Sequence, residues 1–468
     1  MAFPLWNINE KLKESISHAG SGIESCIYEP YLVLYNSSGF QYQARYIKNF
    51  VISQDYVGNY MDEFQIAIDV TVHELMDILK NIQGLMAYIK LFPMDMVTLD
   101  PGKGDILTFN LNVYIDDQQD PVKKFQPASF GDQGIEVKKG ENDALGAATT
   151  PQQAEAQTSF IFHGIEVSAY TMRHRQLNAI CKDSDLKHIL YWSAYHLGAS
   201  DCHIIEPDNT TVYPYVVIPP MTGAAKLFPY LQERFGIYAR GLAFYYSQGL
   251  MNVWPPFDTD TGVSLYDGVC HLINAPAKTY LGNDHYHVVD DKDLYIASIT
   301  ESTLEPLNTQ ATENRANVHL SSDADKLKDN WTQVNTETNQ VFRKADTLTA
   351  VLSANTARNM VSGATNVSFK GERVNLFQTS SDMAATDGTI LKCGWAAAKP
   401  RLFLPGMNVV YHYEGQKGKY LSQKGRALAA FYSSSLVHSR TGTIPWLRFD
   451  AMLAVKLEAE NTVTDMVV

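Results

Sequence analysis

Apolar and polar residues alternate over residues 27–35 and 40–51, on either side of a Ser37-Ser38-Gly39 turn, which predicts a hairpin with one buried face. Alternation returns over 64–72 through Ile66, Ile68 and Val70, after a Gly58-Asn59 turn. The period then lengthens: Leu75, Ile78, Leu79, Ile82 and Leu85 share one helical face. Two further strands, 87–91 and 106–115, flank Asp100-Pro101-Gly102. Residues 116–158 lose all periodicity, with Pro121, Pro127 and Pro151 scattered through them, and read as one long loop. Alternation resumes over 160–172, a strand expected to pair back across the loop and close a first barrel of residues 24–172. Ahead of it, residues 1–23 form an N-terminal arm, helical or extended.

Residues 177–197 carry Leu186, Ile189, Leu190, Trp192, Ala194 and Leu197 and predict a buried helix capped by Asp183 or Ser184. Val216, Val217 and Ile218 make a β-branched strand that Pro219 and Pro220 are expected to end, since proline cannot donate into a ladder. Leu227, Tyr230, Leu231 and Phe235 follow at helical spacing, and Gly236 suits a left-handed cap. Ile237, Tyr238, Leu242, Phe244, Tyr245 and Tyr246, with Gly241 among them, predict a strand or strand pair. Residues 173–300 thus read as an α/β domain and the Thr-, Asn- and Ser-rich stretch 301–380 as a polar connecting domain. Residues 381–468 give a meander of about five strands around Pro405-Gly406 and a 415–418 turn, a second small barrel.

The order strand, Pro219-Pro220, helix with Leu231, the turn Phe235-Gly236-Ile237-Tyr238, aromatic strand resembles the baseplate hub proteins of contractile phage tails and the related hub half of type VI secretion spike proteins. Phenylalanine replaces the tyrosine usual at the first turn position. The resemblance implies an α+β, mainly β chain with two tail-tube-like β-barrels and α/β outer domains, and its structural motif residues are Pro219, Pro220, Leu231, Phe235, Gly236, Tyr238 and Gly241. It further implies a non-enzymatic virion protein of the tail baseplate, assembled in the host cytoplasm. That protein is a homotrimer joining the hexameric tail tube to the trimeric central spike, with other baseplate proteins as neighbours and DNA passing through its channel. The long loop 116–158 and the polar 301–370 stretch depart from the family pattern.

Composition fits an ordered protein, with 45% hydrophobic and 11% aromatic residues in 468, enough for two to four domains. The net charge of −13 disfavours a phosphate-binding surface, so stable nucleic-acid binding is not expected. Cys26, Cys181, Cys202, Cys270 and Cys393 are odd in number and form no CxxC, so buried thiols from a reducing cytosol are expected rather than disulfides or a zinc finger. Charges at Glu10, Lys11, Lys13 and Glu14 occupy the place of a signal-peptide core, and no run is long enough to span a bilayer, so neither general secretion nor a membrane anchor is expected.

Candidate chemistry is thin. Asp284, His285, His287, Asp290 and Asp291 contain alternating histidines that a strand would point one way, but no further ligand stands at fixed spacing, and a half-exposed strand is the better reading. Cys202-His203 with Glu206 is the second set; adjacent strand residues face opposite sides, against a dyad. Pro101-Gly102-Lys103-Gly104 lacks phosphate-loop spacing, and Gly20-Ser21-Gly22 precedes no helix in a βαβ unit. No catalytic residue, cofactor or metal site is assigned. The alternative to a hub is a carbohydrate-binding or hydrolytic module whose Trp254, Tyr266, Tyr280 and Tyr286 line a groove.

Overall fold

The computed structural model describes residues 26–94, 101–102, 104–115, 157–259, 264–274, 287–290, 292–298, 303–306, 331–335, 340–344, 377, 381, 384, 389–414, 420–438, 445–458 and 464–465. The described chain is mainly β. The predicted first hairpin is present as β1 (Ile27–Tyr35) and β2 (Gln41–Gln43), with Val33 opposite Gln43. Then come β3 (Ile47–Asp55), β4 (Glu63–Thr71), helix α1 (Val72–Lys80), β5 (Met86–Pro93), β6 (Leu107–Tyr114) and β7 (Gln157–Glu166). Thr71 and Glu74 close a capping box on α1, each side chain accepting the other's backbone N–H, which fixes where strand becomes helix. As predicted, β7 pairs back across the loop, lying antiparallel between β4 and β6. The arm 1–23 and most of the 116–158 loop lie outside the described residues.

Two expected elements change type. The strand read over 160–172 ends at Glu166, and helix α2 (Val167–His174) follows, because Ala169 and Met172 are buried three apart where a strand would bury alternate residues. The helix read over 177–197 begins late. Its first third is strand β8 (Gln176–Ser184), and α3 (Leu186–Leu197) starts only where the Asp185 carboxylate accepts the His188 N–H at 2.8 Å; neither Asp183 nor Ser184 caps it. Then follow β9 (Asp201–Ile204), β10 (Tyr213–Gly223), α4 (Ala224–Phe235) and the hairpin β11 (Ala243–Ser247) and β12 (Leu250–Trp254). The hairpin turns on Gln248 and Gly249, both at positive φ as a tight two-residue turn requires.

The prolines correct a third expectation. Strand β10 runs past Pro219 and Pro220 to Gly223, and its register against β8 slips between Ile218 and Thr222. The prolines sit in that slip, where no ladder donor is needed. Thr222 Oγ1 closes the bulge by donating to the Pro219 carbonyl at 2.7 Å, and Met221 takes φ +60°.

The remaining strands are β13 (Val269–Asn274), β14 (His287–Asp290), β15 (Asp293–Ser298), β16 (Thr303–Pro306), the isolated hairpin β17 (Trp331–Asn335) and β18 (Gln340–Lys344), β19 (Thr389–Trp395), β20 (Asn408–Glu414), the long β21 (Tyr420–His438), β22 (Pro445–Leu457) and β23 (Thr464–Asp465). One large sheet joins both ends of the chain, in the order β14-β15-β13-β20-β21-β3-β4-β7-β6-β5-β1-β22-β19-β16. Because β21 also pairs directly with β22, the hydrogen bonding returns on itself through eight strands: β21, β3, β4, β7, β6, β5, β1 and β22. Strands β15, β13, β20, β21, β22 and β19 form a second run, in which β15 lies beside β19 without pairing to it.

One core fills both sets of strands. Phe50, Phe64, Phe109 and Phe449 meet edge to face inside the first, while Trp395, Tyr411, Tyr432, Cys270 and Cys393 are buried in the second. A separate core, with Leu186, Leu190, Leu227, Leu231, Ile237 and Tyr238, lies among α2, α3, α4 and β8–β12.

Candidate assembly site

Four of the motif residues, Leu231, Phe235, Gly236 and Tyr238, meet at one turn. Leu231 and Tyr238 are fully buried, Phe235 is half-buried and packs edge to face on Tyr213 at 5.0 Å, and Gly236 takes φ +73° while its N–H donates to the Gln232 carbonyl at 2.9 Å. The positive φ agrees with the expected glycine cap, although ψ of 109° places it outside the left-handed helical well. Gly241, at φ +89°, has the Phe257 ring where a Cβ would stand, 2.6 Å away. Pro219 and Pro220 are exposed, precede the N-terminal end of α4 and do not join this cluster.

Two polar side chains that the apolar pattern did not single out hold the turn. Gln232, 5% exposed, accepts the N–H groups of Ile237 and Tyr238 at 2.8 and 3.0 Å on one oxygen and donates to the Tyr238 carbonyl at 2.8 Å. Asn209 reaches the carbonyls of Phe235 and Gly236, both at 2.9 Å. The signal for Gln232 is its position, four after Phe228 on the buried face of the helix; Asn209, in a loop, has none. The Tyr238 hydroxyl, held well above the phenol range by burial, donates to the Ile205 carbonyl.

A second polar cluster joins the first strands to the β11–β12 hairpin. Asp62, 3% exposed, accepts from Gln54 Nε2 at 2.8 Å, the Tyr245 hydroxyl at 2.6 Å and Ser247 Oγ at 2.8 Å. Glu166 accepts from Arg401 Nη2 at 3.1 Å and from the Gln248 N–H at 3.1 Å, and the Arg401 guanidinium lies over the Phe109 ring at 4.3 Å. The Tyr56 hydroxyl donates to the Phe403 carbonyl at 2.7 Å. Three stretches far apart in sequence are thereby fastened at one buried point. Burial pushes both carboxyls up from the usual range, opposed at Asp62 mainly by the Tyr245 hydrogen bond, and reinforced at Glu166 by the charge of Asp62.

The third fastening is Arg426, fully buried on β21, which donates to the Asp258 carbonyl at 2.8 Å and the Gly406 carbonyl at 3.2 Å. It ties the turn after β12 to the strands of the C-terminal segment.

The sequence-level chemical candidates do not assemble. Asp284, His285 and Tyr286 lie outside the described residues, and the His287 ring stands edge-on to Trp395 at 5.1 Å. Among the described residues no three His, Cys, Asp or Glu gather to hold a metal ion. Cys202, His203 and Glu206 lie around one cleft of about 520 Å³ with Tyr191 and Asp208, but Cys202 packs against the second core while the His203 ring stands edge-on to Tyr266 at 5.9 Å. Burial, then Asp201, pushes the Cys202 thiol up, away from the thiolate a nucleophile needs, and Glu206 is paired with Lys187 at 3.3 Å. Trp254, proposed to line a sugar groove, is fully buried against Gly406, and Tyr266 donates to Asn252 at 3.0 Å; Tyr280 lies outside the described residues. No described helix is long and apolar enough to cross a membrane.

No protein-family model and no curated protein matches the chain. Solved structures do. A tail protein from Neisseria meningitidis MC58 aligns over 92% of this chain and 97% of its own, at TM-score 0.43 and 10% identity. The 43 kDa tail protein of prophage MuSo2 from Shewanella oneidensis aligns over 92% and 99%, at TM-score 0.43 and 11% identity. The E. coli c3393 protein, a type VI secretion component described as structurally similar to the T4 tail proteins gp27 and gp5, aligns over 90% and 76%, at TM-score 0.34 and 8% identity.

Proposed function

We propose that the chain is a structural, non-catalytic component of a phage tail: a homotrimeric baseplate hub that joins a hexameric tail tube to a trimeric central spike. The observation that carries this reading is the pair of strand sets that meet along β21 and β22. Read as two barrels side by side, they give each chain two tube-like units, and three chains offer six to the tube while keeping three-fold symmetry toward the spike. The α/β unit, fastened by Asp62, Glu166 and Arg426, would then stand outside that ring, where other baseplate proteins meet it. On this reading the protein resides in the virion tail, is assembled in the host cytoplasm, holds no cofactor, and lets DNA pass without binding it stably.

Light scattering on the purified chain tests the proposal. A mass of three chains, concentration-independent in the micromolar range, is expected. A strict monomer under the same conditions overturns the adaptor reading.

A further inference from the structure

We propose that Asp62, Glu166 and Arg401 form a proton-sensitive joint, in which uptake of a proton by the acid pair tightens the seam between the strands of residues 27–166 and the β11–β12 hairpin. The inference does not depend on the hub reading.

The geometry sets one cation against two buried anions. Arg401 spends a single Nη2 bond on Glu166, and its Nε is buried with no partner among the described residues. Among the described residues Asp62 receives only neutral donors, from Gln54, Tyr245 and Ser247. Glu166 is 7% exposed and Asp62 3%. With both acids ionised, the joint buries one uncompensated negative charge, which a low-dielectric site resists.

Among the described residues nothing packed around the pair supplies the missing positive charge. The titratable groups that face it are Tyr56 just after β3, Tyr245 and Tyr246 from β11 and Tyr432 from β21. Burial pushes all four phenols up, so they stay neutral. The charge balance therefore falls to the carboxyls, whose own upward displacement agrees with the geometry. Protonation does not empty the network, because the Tyr245 and Ser247 hydroxyls can each rotate from donor to acceptor.

An acid whose closed-state pKa is raised holds its proton when the seam is shut and releases it when the seam opens. Its contribution is complete below about pH 4, the ordinary carboxylate value, and is lost as pH rises through the raised value. The hairpin bears the consequence, since Tyr245, Ser247 and the Gln248 N–H are its grip on the two acids.

Hydrogen exchange of residues 243–254 in the full chain, between pH 5 and 8.5 and corrected for intrinsic chemistry, reads the joint directly. Opening should become more frequent as pH rises, by up to about tenfold per pH unit for each proton released. Asp62→Asn should make that slope shallower. Should Asp62→Asn fail to fold, Glu166→Gln, which keeps an oxygen for Arg401, is read in the same way. A pH-independent wild-type hairpin, or parallel slopes in wild type and the folded variant, overturns the proposal.

Discussion

The Gln232 side chain accepts the Tyr238 N–H at 3.0 Å and donates to the same residue's carbonyl at 2.8 Å, so one buried amide clamps both backbone groups of the residue that ends the motif turn. Gln232→Leu matches the volume and removes all three bonds to Ile237 and Tyr238, leaving their backbone groups unpaired inside the protein. A loss of about 2 to 4 kcal/mol is expected, since each orphaned buried group costs about 1 to 3 kcal/mol and neighbouring losses overlap. Gln232→Glu separates packing from hydrogen bonding, because it keeps the acceptor and loses the donor. Urea melts of the two variants check this, and a leucine variant as stable as wild type would mean the turn is held by Leu231 and Tyr238 alone.

The helix and its glycine stop were legible in the sequence and the clamp was not, for a physical reason. Helical spacing exposes which face is buried, so Leu227, Leu231 and the Gly236 stop could be read from periodicity. The position of Gln232, four after Phe228, marks it as buried, but only the two residues it reaches identify its purpose. The same limit hid the joint: Asp62 and Tyr245 are 183 positions apart, and neither has a distinctive neighbour. Where period alone decided, it failed at the changes of type, at Val167 and again at Gln176, because eight- and nine-residue elements bury too few side chains to separate a period of 2 from 3.6. The return of β21 and β22 to complete the circuit around β1–β7 was likewise unreadable, since the C-terminal meander alternates identically whether it pairs with itself or with residues 27–55.

A second pair of glycines separates strain from packing. Gly406 takes φ +71°, and a Cβ there would stand 2.8 Å from three atoms of the buried Trp254 indole; Gly39 takes φ +93° with nothing within 4 Å. Gly39→Ala should therefore cost about 1 to 2 kcal/mol, the left-handed penalty alone. Gly406→Ala should add about 1 to 3 kcal/mol for overpacking. It also disturbs the carbonyl that Arg426 holds at 3.2 Å. Equal losses for the two variants in denaturant melts would show that Trp254 yields to the new methyl.

His412 contributes a pH dependence of opposite sign to that of the acid joint. It is 5% exposed, its Nε2 lies 3.0 Å from His271 Nδ1, and burial, then the neighbouring His271, pushes it down to about 3. A base depressed in the folded state gives stability that is whole above its ordinary value near pH 6.5 and is lost as pH falls toward the folded value, at about 1.4 kcal/mol per pH unit. Thermal midpoints of wild type and His412→Gln, followed from pH 7.5 to 4.5, should converge on acidification, as the wild type alone loses stability to imidazole protonation. Parallel curves would place the acid sensitivity elsewhere. Both chains compared at the Asp62 joint retain His412, so its contribution cancels there.

The chain carries −13 over 468 residues, and three of its cations, Lys399, Arg426 and Lys456, are buried and lost to the surface. Arg234, Arg240 and Lys424 are exposed, while Lys417 lies outside the described residues. A trimer multiplies the negative excess, and a ring of that sign repels phosphate, so a channel built from it would pass DNA without retaining it. A basic-patch protein holds duplex DNA non-specifically at roughly micromolar to sub-millimolar affinity at physiological salt. This chain should give no gel-shifted complex with duplex DNA there, and at most a faint one at low salt. A complex that persists and weakens steeply with added salt would mean that cations such as Lys424 line the inside of the ring, and that the channel wall and the outer contacts must be exchanged in the hub reading.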